Sequence, residues 1–124
     1  MEFNKDLNAA SASPLILAVL QDRPSYGYAI IKQVSELSEG KLQWAEGMLY
    51  PVLHRLEKLG QIESFWQASE NGRKRKYYRI KQPGVESLQA HQEQWQAMHD
   101  ILERSWKNIR LPGDGSDSYT PALS

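Results

Sequence analysis

Two interleaved seven-residue repeats run through residues 85–109: Val85, Gln92, His99 and Trp106 on one, Leu88, Trp95, Leu102 and Ile109 on the other. Positions spaced alternately three and four apart lie on one stripe of a helix, the a/d pattern of a coiled coil. Pro83 and Gly84 open this helix, and the pattern carries it to about Ile109. About 25 residues at a rise of about 1.5 Å make a rod of roughly 38 Å. A chain of 124 residues leaves too small a body to cover such a rod. The stripe therefore needs a partner, most simply a second copy of the chain. Val85, Leu88, Trp95, Leu102, Trp106 and Ile109 form the expected dimer surface. Trp106 either closes the seam or packs on the first helix of the other copy.

Upstream, residues 1–12 are polar and rich in Ala and Ser, which predicts a flexible arm or a frayed helical turn. Ser13 and Pro14 suit the N-cap and first position of a helix that Arg23-Pro24 ends. Ser25 then caps a second helix, about residues 26–37, with Tyr26, Ala29, Ile30, Val34 and Leu37 as its apolar face and Gly40 as its stop. A third, about 45–59, carries Leu49, Val52, Leu53, Leu56 and Leu59, with Gly60 at the C′ position. Pro51 falls inside it and removes the hydrogen bond to the Gly47 carbonyl. The strands "QIESFWQ" and "KRKYYRIK" flank Asn71-Gly72, a turn in which both positions accept positive φ. Tyr78 and Ile80 share the inward face of the second strand, and Tyr77, Arg79 and Lys81 the outward one. From Leu111 the Gly-, Pro- and Ser-rich "LPGDGSDSYTPALS" has the composition of a disordered tail.

Three helices and a hairpin in this order make a mainly α (α+β) fold: a winged helix-turn-helix with a long C-terminal dimerisation helix. The expected organisation is a flexible arm (1–12), the winged helix-turn-helix (13–82), the dimerisation helix (83–110) and the tail (111–124). In such a fold the third helix enters the major groove of DNA. Charge agrees: residues 41–81 hold nine Lys/Arg against four Glu, net +5, within a chain whose total is zero. On the wing, Arg73, Lys74, Arg75 and Lys76, beside Tyr77, meet phosphates or the minor groove and make binding steeply salt-dependent. The exposed face of helix three offers Gly47 for close approach, Met48 for a thymine methyl, Tyr50 and His54 for phosphates or bases, Arg55 for guanine, and Lys58. Trp44 and Trp66 are expected in or under the core. Tyr26 and Tyr28, which flank Gly27, are expected to pack inside the turn motif.

Other function classes find little to build on. The chain has no cysteine, hence no disulfide framework or thiolate metal site. His91 and His99 stand two turns apart without acidic or Cys partners, so no metal or cofactor is expected. No Gly-rich phosphate loop, zinc-binding His-Glu pair or nucleophile turn occurs, which argues against an enzyme. No long apolar run or basic leader occurs, so a cytoplasmic protein without a membrane partner is expected.

"PSYGYAIIKQV", "GMLYPVLHRLEKLGQI" and "GRKRKYYRIKQPG" resemble the hallmark segments of the PadR family of bacterial transcriptional repressors, over roughly residues 14–110. The resemblance implies a homodimer joined through the first and last helices, which adds Leu15 to the interface, and release from a palindromic DNA operator by a small ligand. In a multidrug-responsive branch, planar aromatic effectors insert between paired tryptophans of the last helix. Trp95 is similar to that position, with Gln92 and His99 beside it. The chain differs from that branch at Pro14 and in the more polar seam made by His91, Gln92 and His99. A different class shares the fold and the dimer: a winged-helix module for protein–protein association, its wing set against an acidic protein surface and without affinity for duplex DNA.

Overall fold

A computed structural model describes residues 1–108; Ile109 and the tail 111–124 lie outside the described residues. Helix α1 is Lys5–Asp22, followed by strand β1 (Ser25–Tyr26), α2 (Gly27–Leu37), α3 (Glu46–Lys58), β2 (Ile62–Ala68), β3 (Lys74–Ile80) and α4 (Gln82–Lys107). The chain falls into two units, Met1–Gln92 and the residues from Glu93 onward, and α4 contributes to both. The mainly helical fold with a small antiparallel sheet and a long last helix is the winged helix-turn-helix the sequence implies.

The first unit corrects the expected N-terminus. No arm precedes α1 over residues 1–12; the helix starts at Lys5, and Asn4 caps it by accepting a hydrogen bond from the Leu7 amide at 2.8 Å. Pro14 sits in mid-helix rather than at its first position. A proline there costs about 3 kcal/mol of intrinsic helix propensity. Burial of Ala12 before it and of Ile16, Leu17, Val19 and Leu20 after it outweighs that cost. Phe3 also packs on the core, which ties the N-terminus down.

Ser25 is not a helix cap either. It lies in β1, buried, and its hydroxyl donates to Gln33 Oε1 at 3.2 Å. The cap position of α2 falls to Tyr26, which makes no side-chain capping bond. At the other end Glu39, with φ +54°, takes the left-handed position just beyond the helix, and Gly40 follows it. Leu37 is exposed rather than part of the buried face. α3 ends as expected: Gly60 has φ +75°, its amide donates to Glu57, and the Gln61 amide donates to Leu56, a Schellman closure. Leu59, at the cap, is exposed.

The sheet has the order β1-β3-β2, all antiparallel, with Tyr26 opposite Tyr77 and Phe65 also opposite Tyr77. The hairpin turn differs from the two-residue form expected. The Ser69 amide donates to Arg73 and the Gly72 amide to Ser69, and only Gly72, at φ +80°, is left-handed. That is a three-residue loop closed by a glycine bulge. Asn71 contributes through its side chain, which accepts from the Arg73 amide at 3.2 Å.

Ile16, Leu17, Ile30, Val34, Leu49, Leu53, Ile62 and Tyr78 fill the core, with Trp44 at its edge and Leu88 of α4 among them. Gly84 lets α4 start directly against the backbone just before β2: a Cβ there would collide with the Gln61 carbonyl oxygen, which already accepts the Lys81 amide at 2.9 Å. Leu88 is therefore part of the chain's own core, which corrects its assignment to the dimer surface; Val85 beside it is half-buried. Beyond Gln92, Trp95, Met98, Ile101, Leu102 and Trp106 are all exposed.

Candidate nucleic-acid interface

Helix α3 presents one face to solvent because its apolar residues return at helical spacing: Leu49, Leu53 and Leu56 are buried, and Gly47, Pro51, His54, Arg55 and Lys58 are exposed. Nothing stands near Gly47, so its surface is open to a ligand backbone. Arg55 donates from Nη2 to the Ser13 hydroxyl at 3.2 Å, which holds it at the edge of that face.

Met48 and Tyr50 depart from the fully exposed placement expected of them. Both are half-buried and pack on the core. The Tyr50 hydroxyl end occupies the space that a Cβ on Gly27 would need, so Gly27 exists to admit this ring between α2 and α3. Tyr50 also lies 6.3 Å from His54, ring to ring. Its first task is to fix the two helices of the turn motif.

The wing splits its charges between two faces. Arg73 and Lys74 are exposed at the tip, and Lys76 is half-buried with its ammonium 5.7 Å from the ring centre of Tyr78. Tyr78 is fully buried, and its hydroxyl pKa is raised by desolvation first, then by Glu57 and Tyr50. On the opposite face, Tyr26, Tyr77 and Phe65 form a row across all three strands. Tyr26 meets Tyr77 edge-on at 5.2 Å, and Tyr77 stacks on Phe65 at 5.7 Å. Arg75 covers Tyr26 at 4.5 Å and Arg79 covers Phe65 at 4.3 Å. Arg79 also pairs with Glu63 at 2.7 Å, whereas Arg75 has no carboxylate partner among the described residues.

Two expectations fail here. Trp66 is not in the core but exposed near the wing's end, opposite Lys76, because the sheet has by then outrun the helices beneath it. Tyr28 is exposed at the start of α2 instead of packing inside the motif. The aromatic row was half visible in the sequence, since Phe65 and Tyr77 alternate to the same face. Tyr26 was not, because a two-residue strand carries no period.

Residues 16–90 match the family described as "Transcriptional regulator PadR-like family". The chain belongs to that family. Among known proteins, it is similar to "Uncharacterized protein X" of Lysinibacillus sphaericus, 32% identical over 79% of this chain and 90% of that one. Among solved structures it is similar to a transcriptional regulator from Clostridium thermocellum, with a TM-score of 0.75 and 28% identity over 82% of this chain and 96% of the other. A PadR family transcriptional regulator from Eggerthella lenta aligns with a TM-score of 0.73 and 28% identity, covering 84% and 88%. This PadR-like chain is accordingly a transcriptional regulator, and membership in a family of regulators, not the lack of a catalytic group, sets it apart from enzymes. Among its described residues no helix is long and apolar enough to cross a membrane.

On α4 of this PadR-like protein, Trp95 lines a shallow recess of about 250 Å³ with Gln94 and Met98. Gln92 and His99 do not line it; both are exposed, and His99 Nε2 lies 3.5 Å from Glu103.

Proposed function

We propose that this PadR-like regulator is a cytoplasmic repressor that binds a palindromic operator in duplex DNA as a homodimer, and that a planar aromatic ligand at Trp95 releases it. Helix α3 enters the major groove with His54, Arg55 and Lys58, while Arg73, Lys74, Arg75 and Lys76 hold phosphates beside it. The observation that carries this reading is the cationic surface itself. On the exposed faces of α3 and the wing, only Arg79 has its charge neutralised by a carboxylate among the described residues. Two such surfaces, joined through Leu15 and through Trp95, Leu102 and Trp106 of α4, would address major-groove faces about 34 Å apart.

A gel shift on promoter-proximal duplex across a salt series tests it. Removing one phosphate-binding cation lowers the salt slope by about one, so Arg73→Ala with Arg75→Ala should flatten it by about two. No duplex affinity in the intact protein would instead favour the protein-association module. For the effector, protein retaining only Trp95 of its four tryptophans should be quenched by a planar aromatic dye. Unchanged emission would remove Trp95 as the platform, because stacking on an indole alters its fluorescence directly.

A further inference from the structure

Arg75 and Arg79 stand two residues either side of Tyr77 on one face of the middle strand, yet their surroundings differ. Arg79 is held by both Phe65 and Glu63, its charge neutralised. Arg75 is held by a ring alone, and its Nε is buried without any hydrogen-bond partner among the described residues. With Nε buried, a guanidinium fixed by its face keeps its two Nη groups aligned for a two-pronged contact with an anion. The ring that fixes it is locked in turn. Tyr26 is paired in register with Tyr77, which stacks on Phe65.

We infer that Tyr26 is a positioning residue: it preorganises Arg75 as a rigid phosphate contact on duplex DNA. The inference rests on the DNA reading above. Without the ring, Arg75 keeps its charge but must be ordered at the moment of binding. That ordering weakens affinity by about three- to tenfold, the scale of immobilising one rotamer-rich side chain. Phosphates are still neutralised, so the salt slope stays the same. The Tyr26 hydroxyl makes no hydrogen bond among the described residues, so the aromatic face alone should suffice.

A double-mutant cycle on duplex DNA, with the intact protein measured first, separates this from a merely structural role. Tyr26→Phe should bind as the parent does. Tyr26→Leu should lose about three- to tenfold affinity at unchanged salt slope. Placed on Arg75→Ala, the same Tyr26→Leu change should cost nothing further. Arg75→Lys keeps the charge without the planar fork, so it should weaken binding as Tyr26→Leu does. Equal losses from Tyr26→Leu with and without Arg75, or parental binding by Arg75→Lys, would overturn the inference while leaving DNA binding intact. Failure of the parent protein to bind duplex at all would overturn both.

Discussion

The two halves of α4 carry the same heptad in different surroundings. In the first, Gly84 and Leu88 are buried, and Leu88 is 2% exposed within the core. In the second, no apolar residue is buried among the described residues: Trp95 is 39% exposed, Leu102 38%, Met98 50%, Ile101 51% and Trp106 59%. A core position and an interface position need the same thing of a helix, an apolar side chain every third or fourth residue. Periodicity identifies the stripe but not what covers it. Where the helix lies on the winged body the stripe is satisfied within the chain. From Trp95 on it stays open among the described residues, and a run of five large exposed apolar residues on one helix exceeds the isolated examples expected of a monomer's surface.

The contrast breaks most sharply at Leu88. Leu88→Ala should destabilise the folded chain by about 2–5 kcal/mol, the usual cost of emptying a buried leucine site. Urea unfolding measures it, and the loss should be the same at every protein concentration. If Leu88 instead served the dimer, the loss would vanish on dilution. Leu102→Asp should do the converse. It places a charge on the open stripe and should weaken self-association by at least about thirtyfold, the scale of an interface hot spot. Sedimentation would then report the 14.2 kDa monomer, and that monomer should unfold with the parent's monomeric stability. Gly84→Ala comes next, at about 1–3 kcal/mol for overpacking. Its new methyl meets the Gln61 carbonyl and, at 2.7 Å, Ile80 Cγ1. The carbonyl cannot retreat without giving up the Lys81 amide.

What the sequence disclosed and withheld follows the same division. The helices, the hairpin and the inward side of β3 were legible because each has a period or a stop signal of its own. The start of α1 was not: Ala9, Ala10 and Ala12 read as filler, yet Ala12 is wholly buried, its smallness fitting a crowded spot rather than marking an arm. Leu88 and Trp95 are equivalent in the heptad and separate only once tertiary packing is known. On the binding surface, the cationic positions of the wing were visible as composition, but which arginine is neutralised was not. That depends on Glu63 facing Arg79 and on Tyr26 reaching β3, both consequences of strand register. Tyr50 misled for a similar reason. A residue at the edge of a helix's exposed face turns inward when a glycine on the neighbouring helix makes room for it.

The smallest expected effect tests where the open half of α4 would stop being solvent-facing in the proposed dimer. His99 and Glu103 lie one turn apart at 3.5 Å, with side chains 61% and 45% exposed. An exposed pair at this spacing contributes about 0.2–0.5 kcal/mol, since water screens it and two side chains must be ordered to make it. Glu103→Gln should therefore shift stability by no more than that in a Leu102→Asp monomer. Measured again in the parent dimer, the same substitution locates the seam. An equally small shift leaves His99 on the rim, in water on both sides of assembly. A shift several times larger in the dimer alone means that the pair is desolvated by the second copy, because only loss of water strengthens a fixed contact of this length. In that case the a position of the heptad, polar as it is, lies inside the interface.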